Sequence, residues 1–137
     1  MEVVLRWRHV DPYSDAEEMN YTCALYAYLA PVRAEVLYVG MCYGTSVRQR
    51  WRYSSKKSLW DFLNENRSKN HRLIVGAQES ESKITRQVVQ DVESLLIYEL
   101  MPIGNIQSKS SRIPRPGMVV RCKGAAWPLT RRTFRDE

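Results

Sequence analysis

The stretch Glu93–Asn105, ESLLIYELMPIGN, constrains this chain more than any other. Val88, Val92, Leu95 and Leu96 recur at steps of three and four, with Ile84 extending the row backwards, so the spacing predicts a helix with one buried face. Glu93 stands in a second row, with Val89 four residues before it and Ile97 four after, and its neighbours along that edge are apolar. A carboxylate among hydrocarbons is costly unless a cation, a metal or a raised pKa neutralises it. Two readings of Glu93 follow: an acid at the helix edge paired with an arginine, or an acid held for chemistry. Pro102 ends the helix, and Gly104–Asn105 supplies the turn.

Upstream, Cys23–Leu29 (CALYAYL) and Val36–Gly40 (VLYVG) read as two strands joined as an antiparallel hairpin. Alternation puts Tyr26 and Tyr28 on one side of the first strand, with Cys23, Leu25, Ala27 and Leu29 on the other; on the second, Tyr38 shares a side with Val36 and Gly40. Two strands can therefore present tyrosines to a common surface, although strand tyrosines also serve as half-buried packing residues. Thr45 or Ser46 can cap a helix beginning near Val47, which carries Arg48, Arg50 and Arg52 interleaved with Trp51 and Tyr53. Two residues turn a helix by roughly 200°, so Arg48 and Arg50 cannot face the same site. Ser58–Asn66 reads as a second helix and His71–Ala77 as a third strand. The order strand, strand, helix, helix, strand, helix predicts an α/β (α+β) domain: a small three-stranded antiparallel sheet flanked by helices over residues 22–106. Residues 1–21 are expected as an N-terminal arm or short strand. Residues 107–137 are expected as a mostly irregular basic extension with a possible strand at Met118–Val120.

Charge narrows the partners. The net charge is +6, but residues 1–20 carry two arginines against five carboxylates, while residues 112–137 carry six arginines and one lysine against two. An anionic partner is expected, met by the basic end. No stretch approaches the ~18 apolar residues of a membrane span, and no signal core opens the chain, which points to the cytoplasm. Cys23, Cys42 and Cys122 are widely spaced with no Cys-x-x-Cys pair, and His9 and His71 are isolated, so free thiols are expected and any metal would be held by oxygen.

Together these segments resemble the GIY-YIG nuclease superfamily across residues 22–105. Ala24-Leu25-Tyr26 stands where that family has Gly-Ile-Tyr, and Tyr38-Val39-Gly40 where it has Tyr-Ile-Gly. Val47-Arg48-Gln49-Arg50 resembles its hydrophobic-to-arginine stretch. Glu93, Leu96-Ile97, Pro102 and Asn105 match its helix motif of an acid, an aliphatic pair, a proline and an asparagine. The chain departs from the pattern at Ala24 for the first glycine, at Met41 after the second triplet, and at Ser54, where many relatives carry histidine or tyrosine. Tyr53 or Tyr43 could stand in for the last of these.

The resemblance implies an endonuclease that hydrolyses DNA phosphodiesters around a single Mg²⁺ or Mn²⁺. Such a reaction needs an activated water, neutralisation of charge on the phosphate oxygens and a stabilised leaving alkoxide. Glu93 is a suitable oxygen ligand for that metal, and Arg50 can grip phosphate through two parallel hydrogen bonds. As the family implies, Tyr26 orients or deprotonates the attacking water and Tyr38 assists. Arg48, Arg52, Tyr43 and Asn105 are expected to contact substrate or position the site. A domain of this size implies modest sequence preference, or a targeting protein partner. The alternatives are a non-cutting module of the same fold that binds nucleic acid, or an unrelated RNA-binding domain that stacks bases on Tyr26 and Tyr28.

Overall fold

Period-two alternation of apolar residues runs through more of this chain than the expected sheet uses, and it decides the fold. The computed structural model describes residues 1–52, 57–66, 71–79, 84–108 and 115–136. Within them lie β1 (Glu2–Val10), β2 (Cys23–Leu29), β3 (Val36–Tyr43), β4 (Arg72–Gln78), β5 (Val119–Lys123) and β6 (Thr133–Arg135). The helices are α1 (Val47–Arg52), α2 (Lys57–Asn66) and α3 (Arg86–Leu100), with 3-10 turns at Glu17–Asn20 and Ile103–Ser108.

The α+β class stands, but the sheet does not stop at three strands. All six join in the order β3-β2-β4-β1-β5-β6. The expected antiparallel trio β3-β2-β4 forms one half. The other half comes from the chain ends: β1 pairs antiparallel with β4 and parallel with β5, and β6 closes on β5. The cause is written in β1, where Val3, Leu5 and Trp7 are at most 1% exposed and alternate with partly exposed Val4, Arg6 and exposed Arg8. Met118, Val120 and Cys122 repeat the pattern beside them, each 1% exposed or less.

One face of the sheet is covered by α3. Val89, Val92, Leu95 and Leu96 pack against Leu25, Ala27, Val39 and Ile74, continuous with Val3, Leu5, Trp7, Val120, Trp127 and Phe134. Thr85 caps α3 by accepting from the Val88 N–H at 3.3 Å, and Met101 ends it in a left-handed conformation at φ 48°. Ion pairs from Arg115 to Asp91 at 2.8 Å and from Arg131 to Glu99 at 3.3 Å tie the C-terminal segment to this helix. Arg121 likewise pairs with Glu2 at 3.1 Å. These basic residues, expected to meet phosphate, are engaged within the fold.

The opposite face carries a second core of Val10, Met19, Ala24, Tyr26, Tyr28, Cys42, Val47, Leu73 and Val75. Alternation along β2 falls as expected. On β3 it breaks once: the register skips a residue between Tyr28↔Tyr38 and Leu29↔Val36, so Val36 joins the α3 side instead of sharing a face with Tyr38. The three cysteines are free. Among the described residues no helix is long and apolar enough to cross a membrane.

Candidate active site

Tyr26 and Tyr38 come from neighbouring strands at the edge of the sheet, and the register sets their geometry. Tyr28 lies directly opposite Tyr38 and Tyr26 opposite Gly40. A Cβ built on Gly40 would lie 2.4 Å from the Tyr26 ring, so the last glycine of Tyr38-Val39-Gly40 is the space into which that ring folds. Ring centroids stand 6.3 Å apart for Tyr26 and Tyr38, 5.9 Å for Tyr26 and Tyr28, and 5.4 Å for the stacked Tyr28 and Tyr38. Three phenols thus form one cluster, two of them only 1% exposed and Tyr38 partly open to solvent.

Helix α1 brings the arginine. Ser46 caps it reciprocally: the Gln49 N–H donates to Ser46 Oγ at 3.1 Å, and the Ser46 N–H donates to Gln49 Oε1 at 2.8 Å. From that start Arg50 points toward the tyrosines, where its guanidinium reaches the Tyr26 hydroxyl and its charge is felt by Tyr26, Tyr28 and Tyr38. Arg48 turns elsewhere and donates to the Ser14 carbonyl at 3.0 Å, as the 200° argument requires. Trp51 packs at the border of the second core and meets Tyr13 edge to face at 5.0 Å. The Arg52 side chain and residues 53–56, including Tyr53 and Ser54, lie outside the described residues.

Glu93 completes the group from α3, which runs beside β3. Because β3 is the outermost strand, an acid on the outer row of α3 can approach the tyrosines around that edge. Its charge raises the Tyr38 pKa second only to burial, and Arg50 opposes it. Tyr26 is also raised, by burial first and the Tyr38 hydroxyl next, with Glu93 adding a smaller contribution; Arg50 opposes through its charge and its contact with the phenolic oxygen. Tyr26 is therefore a neutral phenol at ordinary pH, suited to orienting a group by hydrogen bonding rather than to taking a proton unaided.

Two expected contributors stand apart. Tyr43 belongs to β3 rather than to a following loop, on the α3 side of the sheet, and its ring lies 4.9 Å under the Arg86 guanidinium. Its side chain therefore lies on the opposite face of the sheet from Tyr26 and Tyr38. Asn105 is 3% exposed and spends its amide on Val39, accepting from the N–H at 2.9 Å and donating to the carbonyl at 3.0 Å. It holds the strand that carries Tyr38, the positioning role, and its side chain is closed off from solvent. Tyr28, expected on the same face as Tyr26 but not among the expected site residues, joins the two tyrosines through its ring.

Among the described residues no three His, Cys, Asp or Glu side chains gather into a metal cage. A single carboxylate such as Glu93 would suit Mg²⁺ or Mn²⁺, which take one or two carboxylates and keep several waters. What the fold and this cluster define is an α+β protein with a phenol, arginine and carboxylate site at one sheet edge. Comparison with known protein families, curated proteins and solved structures returned no match.

Proposed function

We propose that this protein is a metal-dependent endonuclease acting on DNA at the cluster of Tyr26, Tyr38, Arg50 and Glu93. The observation that carries this reading is the placement of Tyr38. It meets Tyr26 on one side and feels both the Arg50 cation and the Glu93 carboxylate, three side chains from three separate elements. Packing alone gives no reason for a cation and an anion to converge on a buried phenol and its half-buried neighbour.

In this reading Arg50 binds two oxygens of the scissile phosphate and offsets the charge that builds there. Tyr38, partly exposed, meets the substrate first. Tyr26, held by Arg50 from behind, fixes the direction of the attacking water. Glu93 would hold a Mg²⁺ or Mn²⁺, which would supply Lewis-acid charge for activating water and for stabilising the leaving oxygen. Phosphate affinity outside the site falls to cations that the fold leaves on the tyrosine side of the outer strands, Arg8, Lys123 and Arg135, all exposed.

A second reading has one observation in its favour. The Tyr26 hydroxyl is buried, with its pKa pushed well above 10.0, which suits a module of similar fold that binds nucleic acid without cutting it. The base-stacking alternative loses its platform, since Tyr26 and Tyr28 are 1% exposed and their rings are packed against aromatic neighbours.

Supercoiled plasmid incubated with the purified protein and Mg²⁺ or Mn²⁺ separates the two. Nicking by the wild type, lost in Glu93→Gln and Arg50→Ala while Glu93→Gln still retards DNA on a gel, supports the nuclease. Retardation by both wild type and Glu93→Gln, with no nicking by either, establishes the binding module instead.

A further inference from the structure

On the side of the sheet opposite α3, the tyrosine half lies under α1, α2 and the Glu17–Asn20 turn, which pack Val47, Leu59 and Met19 into the second core. From Glu2 to Arg8 of β1, and along β5 and β6, the same face stays open. Val4, Arg6, Val119, Arg121 and Thr133 are partly exposed there, and Arg8, Lys123 and Arg135 are exposed. Five of these eight side chains are cations. Arg6 pairs with Glu79 at 3.2 Å and Arg121 with Glu2 at 3.1 Å, but no side-chain ion pair or hydrogen bond between described residues engages Arg8, Lys123 or Arg135.

The register spreads those three cations along a diagonal. Arg6 lies beside Lys123 and Val119 beside Arg135, so Arg8, Lys123 and Arg135 step from β1 to β5 to β6. At about 3.3 Å per residue and about 4.8 Å between strands, the diagonal spans about 22 Å, the length of about six base pairs at about 3.4 Å per phosphate along one strand. Its inner end is near the site: Tyr26, Val75 and Arg8 form one row across three strands, which puts Arg8 about 10 Å from Tyr26. Two adjoining grooves of about 470 Å³ and 170 Å³ share Arg6, Arg8 and Glu18 and lead from Gly124 to Tyr21.

We propose that this open face of β1, β5 and β6 seats the phosphate backbone of duplex DNA flanking the cut. The proposal deepens the nuclease reading and rests on it for the identity of the polyanion. Charge complementarity selects a polyanion, and the face itself selects the duplex. Single strands are held by stacking their bases on aromatic rings, whereas β1, β5 and β6 turn Trp7 and Phe134 into the core beneath α3 and present none here. A duplex, with its bases inside, needs only the cations. Glu18 is the acid within the groove, and it opposes the bound backbone.

Binding of labelled DNA without added metal tests this apart from cleavage. With Arg8, Lys123 and Arg135 all changed to Gln, the slope of log affinity against log salt should fall by about 2.7, so that between 50 and 200 mM salt the wild type loses about 40-fold more duplex affinity than the variant. A control that removes the same charge elsewhere, with Gln at the exposed Arg33, Lys57 and Arg131, should keep most of the wild-type slope. Glu18→Gln should tighten binding several-fold, a gain that misfolding does not produce. In nicking assays the triple variant should raise KM and leave kcat unchanged. An unchanged slope in the triple variant, an equal fall in the control, no gain from Glu18→Gln, or single strands bound as tightly as duplex through the same three residues overturns the proposal and leaves the nuclease standing. Wild type that shows the expected duplex binding yet never nicks sinks the nuclease and upholds the seat.

Discussion

Asn105 holds Val39 by both of that residue's backbone polar groups, at 2.9 Å through the N–H and 3.0 Å through the carbonyl. Val39 sits between Tyr38 and Gly40 on an edge strand, where among the described residues no further strand supplies partners. The amide stands in for that strand, and it explains why an asparagine belongs twelve residues after Glu93. The turn that delivers it is tight: a Cβ on Gly104 would lie 2.7 Å from the Leu37 carbonyl.

Asn105→Ala leaves two buried backbone groups without partners and is expected to cost about 2–4 kcal/mol. Urea denaturation measures this. Because the loosened strand carries Tyr38, activity in the folded variant should fall as well. An unfolding midpoint equal to wild type would show that the clamp contributes nothing.

Gly40→Ala tests the other side of the same strand. The added methyl collides with the Tyr26 ring, so the variant is expected to lose about 1–3 kcal/mol, as overpacked cores do. The loss should shrink in a Tyr26→Ala background, since the collision is then gone. Equal losses in both backgrounds would mean that the ring is not what fills the space above Gly40.

Much of this arrangement could be read from the chain, and the part that could not has a physical reason. The hairpin of β2 and β3, the tyrosine side of it, the arginine helix and α3 all rest on local periodicity, which a sequence displays directly. The Val36 side was misjudged because a bulge changes parity without leaving a residue-type signature. That the strands suggested at the two chain ends join this sheet was missed for another cause. Val3, Leu5 and Trp7 alternate as clearly as any strand, yet their partners Val120 and Cys122 lie more than a hundred residues away, and pairing at that distance leaves no local trace. Tyr43 was misplaced because β3 runs past Gly40, while the positioning role expected of Asn105 takes the form of two hydrogen bonds to backbone, which no side-chain pattern announces.

The consequence concerns the basic C-terminal segment. A chain ending at Ser108 loses β5 and β6, and with them Val120, Cys122, Trp127 and Phe134, each at most 2% exposed. Burying side chains of this size contributes about 1.5–3 kcal/mol each, a sum comparable with the whole stability of a small domain. The truncated chain is therefore expected to show no cooperative unfolding transition by circular dichroism. A folded, active truncation with weakened DNA binding would instead mark the segment as an appended phosphate-binding tail.

Arg48 and Arg50 offer a comparison within one helix. Arg48→Ala removes a hydrogen bond to Ser14 and is expected to cost about 1–2 kcal/mol of stability with little change in turnover. Arg50→Ala should lower kcat/KM by about 100- to 1,000-fold, the usual effect of removing a group that stabilises charge at the reacting centre. Arg50→Lys should recover only part of this, since an ammonium cannot make the paired contact. Plasmid nicking alongside denaturation of each variant measures both quantities, and reversed behaviour of the two arginines would move the site to the opposite side of α1.

The three clustered phenols also fix how the protein responds to alkali. Burial raises Tyr26, Tyr28 and Tyr38 above the ordinary 10.0, and it pushes the thiols of Cys42 and Cys122 up to about 11 and about 12 from 9.0. In the unfolded chain these groups ionise near their ordinary values, so above about pH 9 the native state holds more protons than the unfolded one, and stability falls as pH rises. Their contribution is complete below about pH 9 and is lost progressively as pH climbs toward the folded pKa values. The urea midpoint is therefore expected to decline from about pH 9 with the two thiols and to steepen above pH 10 with the phenols. Absorbance at 295 nm should show a group of tyrosines ionising together with the loss of near-ultraviolet dichroism. Tyr28→Phe takes one phenol out of the balance and should soften the decline. All tyrosines ionising by pH 10.5 with the fold intact would mean that the cluster lies open to water, and the hydrogen-bonding role given to a neutral Tyr26 would go with it.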